Sequence, residues 1–162
     1  MSHPADFIPA RDSDAKIIAA LRQAIWATTY RGIYLDDVID HFDFPWHVQR
    51  DLERIKDPSL HVYLIRCADE TIGYLSFSAS DPVFIHSLYL LEAYQRRGIG
   101  KQAFSLIRQY CHAQSIDKFR CNCNSHNYPA QAFYRAMGGA IVKRDEGHKN
   151  RQEDQITFEF EA

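Results

Sequence analysis

The sequence predicts a mixed α/β fold in a single domain spanning residues 1–162. Two observations carry this expectation. The spacing of apolar residues switches repeatedly between about two, the period of a half-buried strand, and about 3.6, the period of an amphipathic helix. In addition, an apolar strand at 83–91 runs into two arginines and a Gly-x-Gly turn, Gly98-Ile99-Gly100, and a helical pattern begins at once. No repeat, low-complexity run or flexible linker divides the 162 residues, a length sufficient for one substantial core.

Taken in order, Phe7-Ile8-Pro9 reads as a short opening strand. Ser13 or Asp14 can cap a helix running through Thr29, because a short oxygen-bearing side chain accepts from the free N–H groups of a first turn. Ile17, Ile18, Leu21, Ile25 and Trp26 lie mostly on one face of that helix. Residues 30–46 are rich in aromatics and aspartates without a sustained period, so an irregular or short-helical stretch is expected. A helix from about Trp46 to Ile55 stops before Asp57-Pro58, where proline disfavours helical geometry in its predecessor. Strands at about 60–67 and 71–79, joined at Asp69-Glu70, precede the strand at 83–91. The helix of the Gly-x-Gly turn carries Ile99, Ala103, Leu106, Ile107 and Tyr110 at helical spacing. A strand near 118–123, a helix over Asn127–Met137 closed by Gly138-Gly139, and strands near 140–144 and 155–160 complete the chain.

The chemistry is concentrated at Leu88–Lys101. Gly98 and Gly100 carry no Cβ, so the backbone there can curl and approach a ligand closely. The free N–H groups of the following helix start, with its dipole, favour a phosphate. Arg96, Arg97 and Lys101 surround the spot with positive charge, and the physical reading is a diphosphate cradle. A tight strand-to-helix turn with solvated basic residues is the plain alternative. Spacing excludes two other nucleotide motifs. A P-loop needs Ser or Thr after its lysine, where this chain has Gln102, and a dinucleotide fingerprint needs a third glycine, where it has Ala103.

The run Gln95-Arg96-Arg97-Gly98-Ile99-Gly100 resembles the pyrophosphate loop of the Gcn5-related N-acetyltransferases, Gln/Arg-x-x-Gly-x-Gly/Ala. A second element, Asn127-Tyr128-Pro129-Ala130-Gln131-Ala132-Phe133-Tyr134 followed by Met137-Gly138-Gly139, resembles that family's Asn-x-x-Ala-x-x-Phe-Tyr helix. Two ordered motifs at the expected separation are far more specific than either alone. The resemblance implies a central, mostly antiparallel sheet with one splayed parallel strand pair and helices on both faces. It also implies acetyl-CoA as cosubstrate, with no metal, and transfer of its acetyl group to a primary amine in a ternary complex. In that scheme the backbones of Leu88, Tyr89 and Leu90 hold the acyl arm in the splay, and one N–H supports the oxyanion of the intermediate.

The resemblance further implies that Arg96, Arg97, Gly98, Ile99, Gly100 and Lys101 hold the diphosphate and that Tyr134 protonates the departing thiolate. Asn127 matches the family's asparagine that touches the cofactor arm, and as a bare residue it reads equally as a helix cap. The general base is where this chain departs from the family. Phe84 and Asn122 stand at positions where members often carry glutamate, and neither takes a proton. His86 is the nearest titratable group, expected by alternation on the same face as Leu88 and Leu90, as a base through water or as a structural histidine. These gaps leave a rival reading, a regulatory or sensor domain that binds acyl-CoA without turnover.

In this fold the acceptor is selected by the first two helices, the loop between them and the last strands. Here that means Trp26, Tyr30, Arg31 and Tyr34 beside Asp36, Asp37, Asp40 and Asp43, aromatics and carboxylates that suit a cationic amine or a solvated loop. The polar segment 144–155 reads as a long hairpin overhanging the acceptor, with His148 or Glu153 reaching in.

A net charge of −2 gives no global pull toward nucleic acid or an anionic membrane, so attraction for a polyanionic cofactor has to be local. The expected partner is a small-molecule or peptide amine, with a homodimer allowed. No apolar run approaches the roughly 18–20 residues of a membrane span. The start Met1–Asp6 lacks the basic and apolar stretches of a signal peptide, so a cytoplasmic location is expected. Cys67, Cys111, Cys121 and Cys123 lack Cys-x-x-Cys spacing and are expected as separate thiols, with Cys121 and Cys123 on opposite faces of their strand.

Overall fold

In the computed structural model, which describes residues 4–162, the chain runs β1 (Asp6–Pro9), α1 (Ala15–Thr29), α2 (Asp36–Asp40), α3 (Phe44–Lys56), β2 (Leu60–Cys67), β3 (Glu70–Ser78), β4 (Val83–Leu90), α4 (Ile99–Ala113), β5 (Lys118–Asn124), α5 (Tyr128–Ala136), β6 (Ala140–Asp145) and β7 (Gln155–Glu161). Met1–His3, part of the start read above as lacking a signal peptide, lie outside the described residues. Helix α3 begins two residues before the expected Trp46, because Asp43 accepts the Trp46 N–H at 3.1 Å and Pro45 fits a first turn.

The strands form one sheet in the order β1-β2-β3-β4-β5-β7-β6, antiparallel throughout except for the parallel pair β4–β5. Helices cover both faces. On one, α4 turns Ile99, Ala103, Phe104, Ile107 and Cys111 inward, and these pack with Leu75, Phe77, Phe119, Phe158 and Phe160 from the strands. Phe133 and Tyr134 of α5 close the same core. On the other face, Ile18, Leu21 and Ile25 of α1 pack against Leu64, Tyr74 and Tyr30. Each fully buried side chain of this size contributes roughly 1.5–3 kcal/mol, so the two cores fix the sheet as a rigid plate between helices.

Strand β4 departs from regularity where it matters. Ser87 pairs with Ser76 and Ile85 with Phe77, so His86 is an extra residue, a β-bulge. The bulge reverses the strand's parity. Val83 and Ile85 before it, and Leu88 and Leu90 after it, all face the α4 core, while Tyr89 faces α1. His86 therefore does not share a face with Leu88 and Leu90 as simple alternation predicts. It opens instead on the α1–α3 side, beside Ser87 and Tyr89.

The same stretch marks the splay. β4 and β5 pair only at Val83–Phe119, Phe84–Arg120 and Ile85–Cys121, after which β5 continues on β7 alone. The β5-facing backbone of Leu88, Tyr89 and Leu90 is thus without a strand partner, although β3 pairs their other edge. Cys121 and Cys123 both face the α4 core instead of opposite sides, since residues two apart on a strand share a face, and all four cysteines are free thiols.

Candidate functional site

The turn after β4 is built for close approach at one glycine and for packing at the other. Gly98 caps α4 in the left-handed region at φ +82, with open space where a Cβ would point. Arg96 is also left-handed at φ 62, a conformation that costs a non-glycine residue roughly 1–2 kcal/mol. Two such residues curl the loop around the helix start. The first intrahelical bond runs from the Gln102 N–H to the Gly98 carbonyl at 3.2 Å, so the N–H groups of Ile99, Gly100 and Lys101 precede the ladder. Gln95, the first residue of the motif, ties the loop back to β4 by donating to the Leu90 carbonyl at 3.1 Å.

Arg96, Arg97, Gly98 and Lys101 are exposed around this curl, and the Arg97 guanidinium stacks on Tyr94 at 5.2 Å. Ile99 is only 3% exposed, so its side chain is an anchor in the core and only its backbone belongs to the loop. Gly100 does not face the open side either. A Cβ there would meet the Phe133 ring at 2.7 Å, so the missing side chain lets α5 lie against α4. Gly100→Ala is expected to cost about 1–3 kcal/mol by forcing Phe133 out of place. Chemical denaturation of the variant checks this, and an unchanged midpoint would contradict the contact.

From the loop a groove of about 460 Å³ runs between α4 and α5, bordered by Lys101, Ser105, Arg108 and His112 and ending at Met137. Sequence reasoning missed it, although Lys101, Arg108 and His112 recur at seven- and four-residue steps along one helix face.

Tyr134 stands at the splay. Its ring packs on Phe133 and Phe158 at 5.5 Å. Burial raises its phenol well above the ordinary tyrosine value, with further contributions from Cys121, Cys123 and Tyr89. The group is therefore protonated throughout the neutral range. Burial likewise pushes the Cys123 thiol up to about 12 and Cys121 higher, which leaves both as un-ionised walls. Asn127 caps α5, its Oδ1 accepting the Ala130 N–H at 3.3 Å. The β5–α5 junction before it is pinned: His126 Nε2 lies 2.8 Å from Asp154 Oδ2, and Asn124 donates to the Arg151 carbonyl at 2.9 Å.

Across β4 from α4 lies a cleft of about 570 Å³ between α1, α3 and the bulge, bordered by Trp26, Arg54, His86, Ser87 and Tyr89. Its floor is held by a buried ion network absent from the sequence reading. Arg22 of α1 donates through both terminal nitrogens to Asp51 of α3 at 2.7 Å, and Arg54 donates to the same carboxylate at 3.1 Å. Burial would depress the Arg22 guanidinium, but the Asp51 bonds and charge outweigh it and hold it above its ordinary value. Burial, with the Arg54 charge second, lowers His86 below the ordinary histidine value. His86 is thus neutral at neutral pH.

Of the aromatic residues expected at the acceptor, only Trp26 borders this cleft. Tyr30 is 7% exposed and stacks on Tyr34 at 4.6 Å, and both phenols are raised by burial. Of the acidic set, Asp36 and Asp40 pair with Arg31 at 3.1 and 2.9 Å, Asp43 caps α3, and Asp37 is 94% exposed. The 144–155 segment touches the α1–α2 loop through Gln152, whose Oε1 accepts the Leu35 N–H at 3.4 Å. His148 instead folds back on Asp145 at 2.8 Å, and Glu153 is exposed. Phe84 packs on His86 with ring centres 5.0 Å apart, and Asn122 accepts from Thr157 at 2.7 Å. Among the described residues no group of three or more His, Cys, Asp or Glu side chains could hold a metal ion, and no helix is long and apolar enough to cross a membrane.

With this geometry in view, the chain was compared with known proteins. The family model "Acetyltransferase (GNAT) family" matches residues 18–138. No curated protein sequence matches the chain. Among solved structures, the PaiA N-acetyltransferase of Thermoplasma acidophilum in complex with coenzyme A superposes with a TM-score of 0.83 at 17% identity, covering 99% of this chain and 100% of its own. An acetyltransferase from Thermus thermophilus gives 0.76 at 22% identity, with 100% of both chains covered. The Salmonella typhimurium acetyltransferase that modifies the N-terminal serine of ribosomal protein L7/L12 gives 0.75 at 22% identity, covering 99% of this chain and 96% of its own. At these identities the superpositions establish the shared fold.

Proposed function

The chain belongs to the GNAT acetyltransferase family, and on that premise we propose that it moves the acetyl group of acetyl-CoA to a primary amine by direct attack in a ternary complex. The observation that carries this reading is the parting of β4 from β5 beside a phenol that burial keeps protonated at neutral pH, with an anion-fitted turn at the end of β4. The relative crystallised with coenzyme A supports the choice of cosubstrate.

In this reading the N–H groups at the start of α4, with Arg96, Arg97 and Lys101, hold the diphosphate. The adenosine end follows the α4–α5 groove past Arg108. The acyl arm enters the splay as an extra strand on the unpaired edge of Leu88–Leu90, and Asn127 donates to it. Binding energy from the remote diphosphate then fixes the thioester carbonyl where the amine arrives, a proximity effect. The amine approaches from the α1–α3 cleft, whose wall at Tyr89 neighbours Tyr134. Nitrogen attacks the carbonyl carbon, the carbon–sulfur bond breaks, and Tyr134 gives its proton to the leaving sulfur. His86 takes the amine proton through water. Trp26 forms the outer acceptor wall, with Tyr30 and Tyr34 stacked as its support.

Thiol release from acetyl-CoA in the presence of amines, with the acetylated product identified, tests the reading. Its pH dependence tests His86. Because the folded pKa is lowered, the imidazole is neutral above 6.5 and is charged only as pH falls through the lower folded value. The acid limb of kcat/KM is expected below pH 6.5 and absent in His86→Gln. A limb that persists in the variant would remove His86 as base.

The rival reading, an acyl-CoA sensor without turnover, is favoured only by Phe84 and Asn122 standing where a carboxylate could act. It predicts binding of acetyl-CoA with no amine-dependent thiol.

A further inference from the structure

We propose that the acceptor amine carries an acidic group of its own, as an amino acid or an acidic peptide N-terminus does, and that Arg50 and Arg54 read that group across the α1–α3 cleft. This rests on the acetyl-transfer reading and names the acceptor class for the same site. Asp57 Oδ1 accepts from the Ser59 N–H at 2.9 Å and hydroxyl at 2.7 Å. Asp51 lies beneath the cleft, 2% exposed, and its oxygens are taken by Arg22 and Arg54. Glu53 accepts from Arg50 through one oxygen at 3.2 Å and is 52% exposed.

The cations are differently placed. Arg54 contacts Asp51 through a single nitrogen, and its side chain is 42% exposed. Arg50 contacts Glu53 through a single nitrogen, is 48% exposed, and is steadied by stacking over Trp46 at 5.6 Å. A guanidinium has five N–H donors in a fixed fork, so each retains donors for a second, planar anion. Behind them Arg22 and Asp51 neutralise each other, so Arg50 and Arg54 are the cations with donors to spare.

His86, at the inner end of the cleft, feels the Arg54 charge. A polycation entering here meets like charge near the thioester. An amine with an adjacent carboxylate is drawn in by that carboxylate, while the positive surroundings favour loss of the ammonium proton that direct attack requires. Asp36 and Asp40 pair with Arg31 and Asp43 caps α3, so this reading places acceptor recognition on α3 where the sequence alone suggested the α1–α2 aspartates.

The test compares matched acceptors in the acetyl-CoA thiol-release assay: peptides with an N-terminal Ser-Asp or Ser-Glu pair, their Ser-Asn and Ser-Gln counterparts, free glutamate, and spermidine. The acidic acceptors are expected to show kcat/KM at least about tenfold above their amide counterparts. Arg50→Gln, a surface change, and Arg54→Gln are expected to erase that advantage, so that acid and amide acceptors give equal kcat/KM. Equal rates for acid and amide acceptors, or a preference for spermidine, would overturn the acid-group proposal while leaving acetyl transfer intact. No amine-dependent thiol from any acceptor, with acetyl-CoA binding measured by calorimetry, would overturn the transfer reading itself.

Discussion

Tyr134→Phe is expected to lower kcat by about 10²-fold or more while leaving the Kd for acetyl-CoA nearly unchanged. The substitution removes one oxygen from a ring packed among Phe133, Phe158 and Phe160, so the aromatic wall persists. What is lost is the proton for the departing sulfur. The raised phenol pKa gives the prediction a second edge: no basic limb attributable to Tyr134 titration is expected near neutrality in the parent enzyme. Single-turnover kinetics with calorimetry separates the two effects. A variant with parental kcat would reduce Tyr134 to a wall and leave the leaving group to water.

The second large effect concerns stability. Asp51→Ala leaves the Arg22 guanidinium, 8% exposed, without its carboxylate inside the α1–α3 interface. Breaking a buried pair from one side costs about 3–5 kcal/mol, and in a chain of this size that is a fall in Tm of roughly 10 °C. Arg54 loses the same partner, so the cleft floor is expected to loosen with the fold. Replacing both members, Arg22→Met with Asp51→Leu, is expected to recover most of the loss, because the one charge left without a partner, Arg54, is 42% exposed. Thermal unfolding of the three proteins decides it. A single variant as stable as the parent would mean that water reaches the network.

The elements were legible because their signals are local: each strand and helix lies within a few residues of the periodicity reading, and both motifs sit on the elements they imply. The bulge at His86 was not legible, since an extra residue in one strand is defined only by its partner strand, and it inverted the facing of everything after it. The Arg22–Asp51 network left a faint trace. Arg22 falls within the apolar stripe of α1, four residues after Ile18 and three before Ile25, where a charge has to find a buried partner. Which partner it finds depends on how α1 and α3 meet. The pairing of Asp36 and Asp40 with Arg31 was not legible for a related reason: it depends on how the loop between α1 and α2 folds back on itself.

The contact between Gly100 and Phe133 has a consequence for measurement of length within the site. Gly100 belongs to the turn proposed to grip the diphosphate, and Phe133 is the immediate neighbour of the phenol proposed to serve the sulfur. The two ends of the pantetheine arm are thus gauged against one notch, where helix α5 seats in helix α4. The protein carries its own ruler, and a CoA analogue with a shortened pantetheine arm would fill the turn yet stop short of Tyr134.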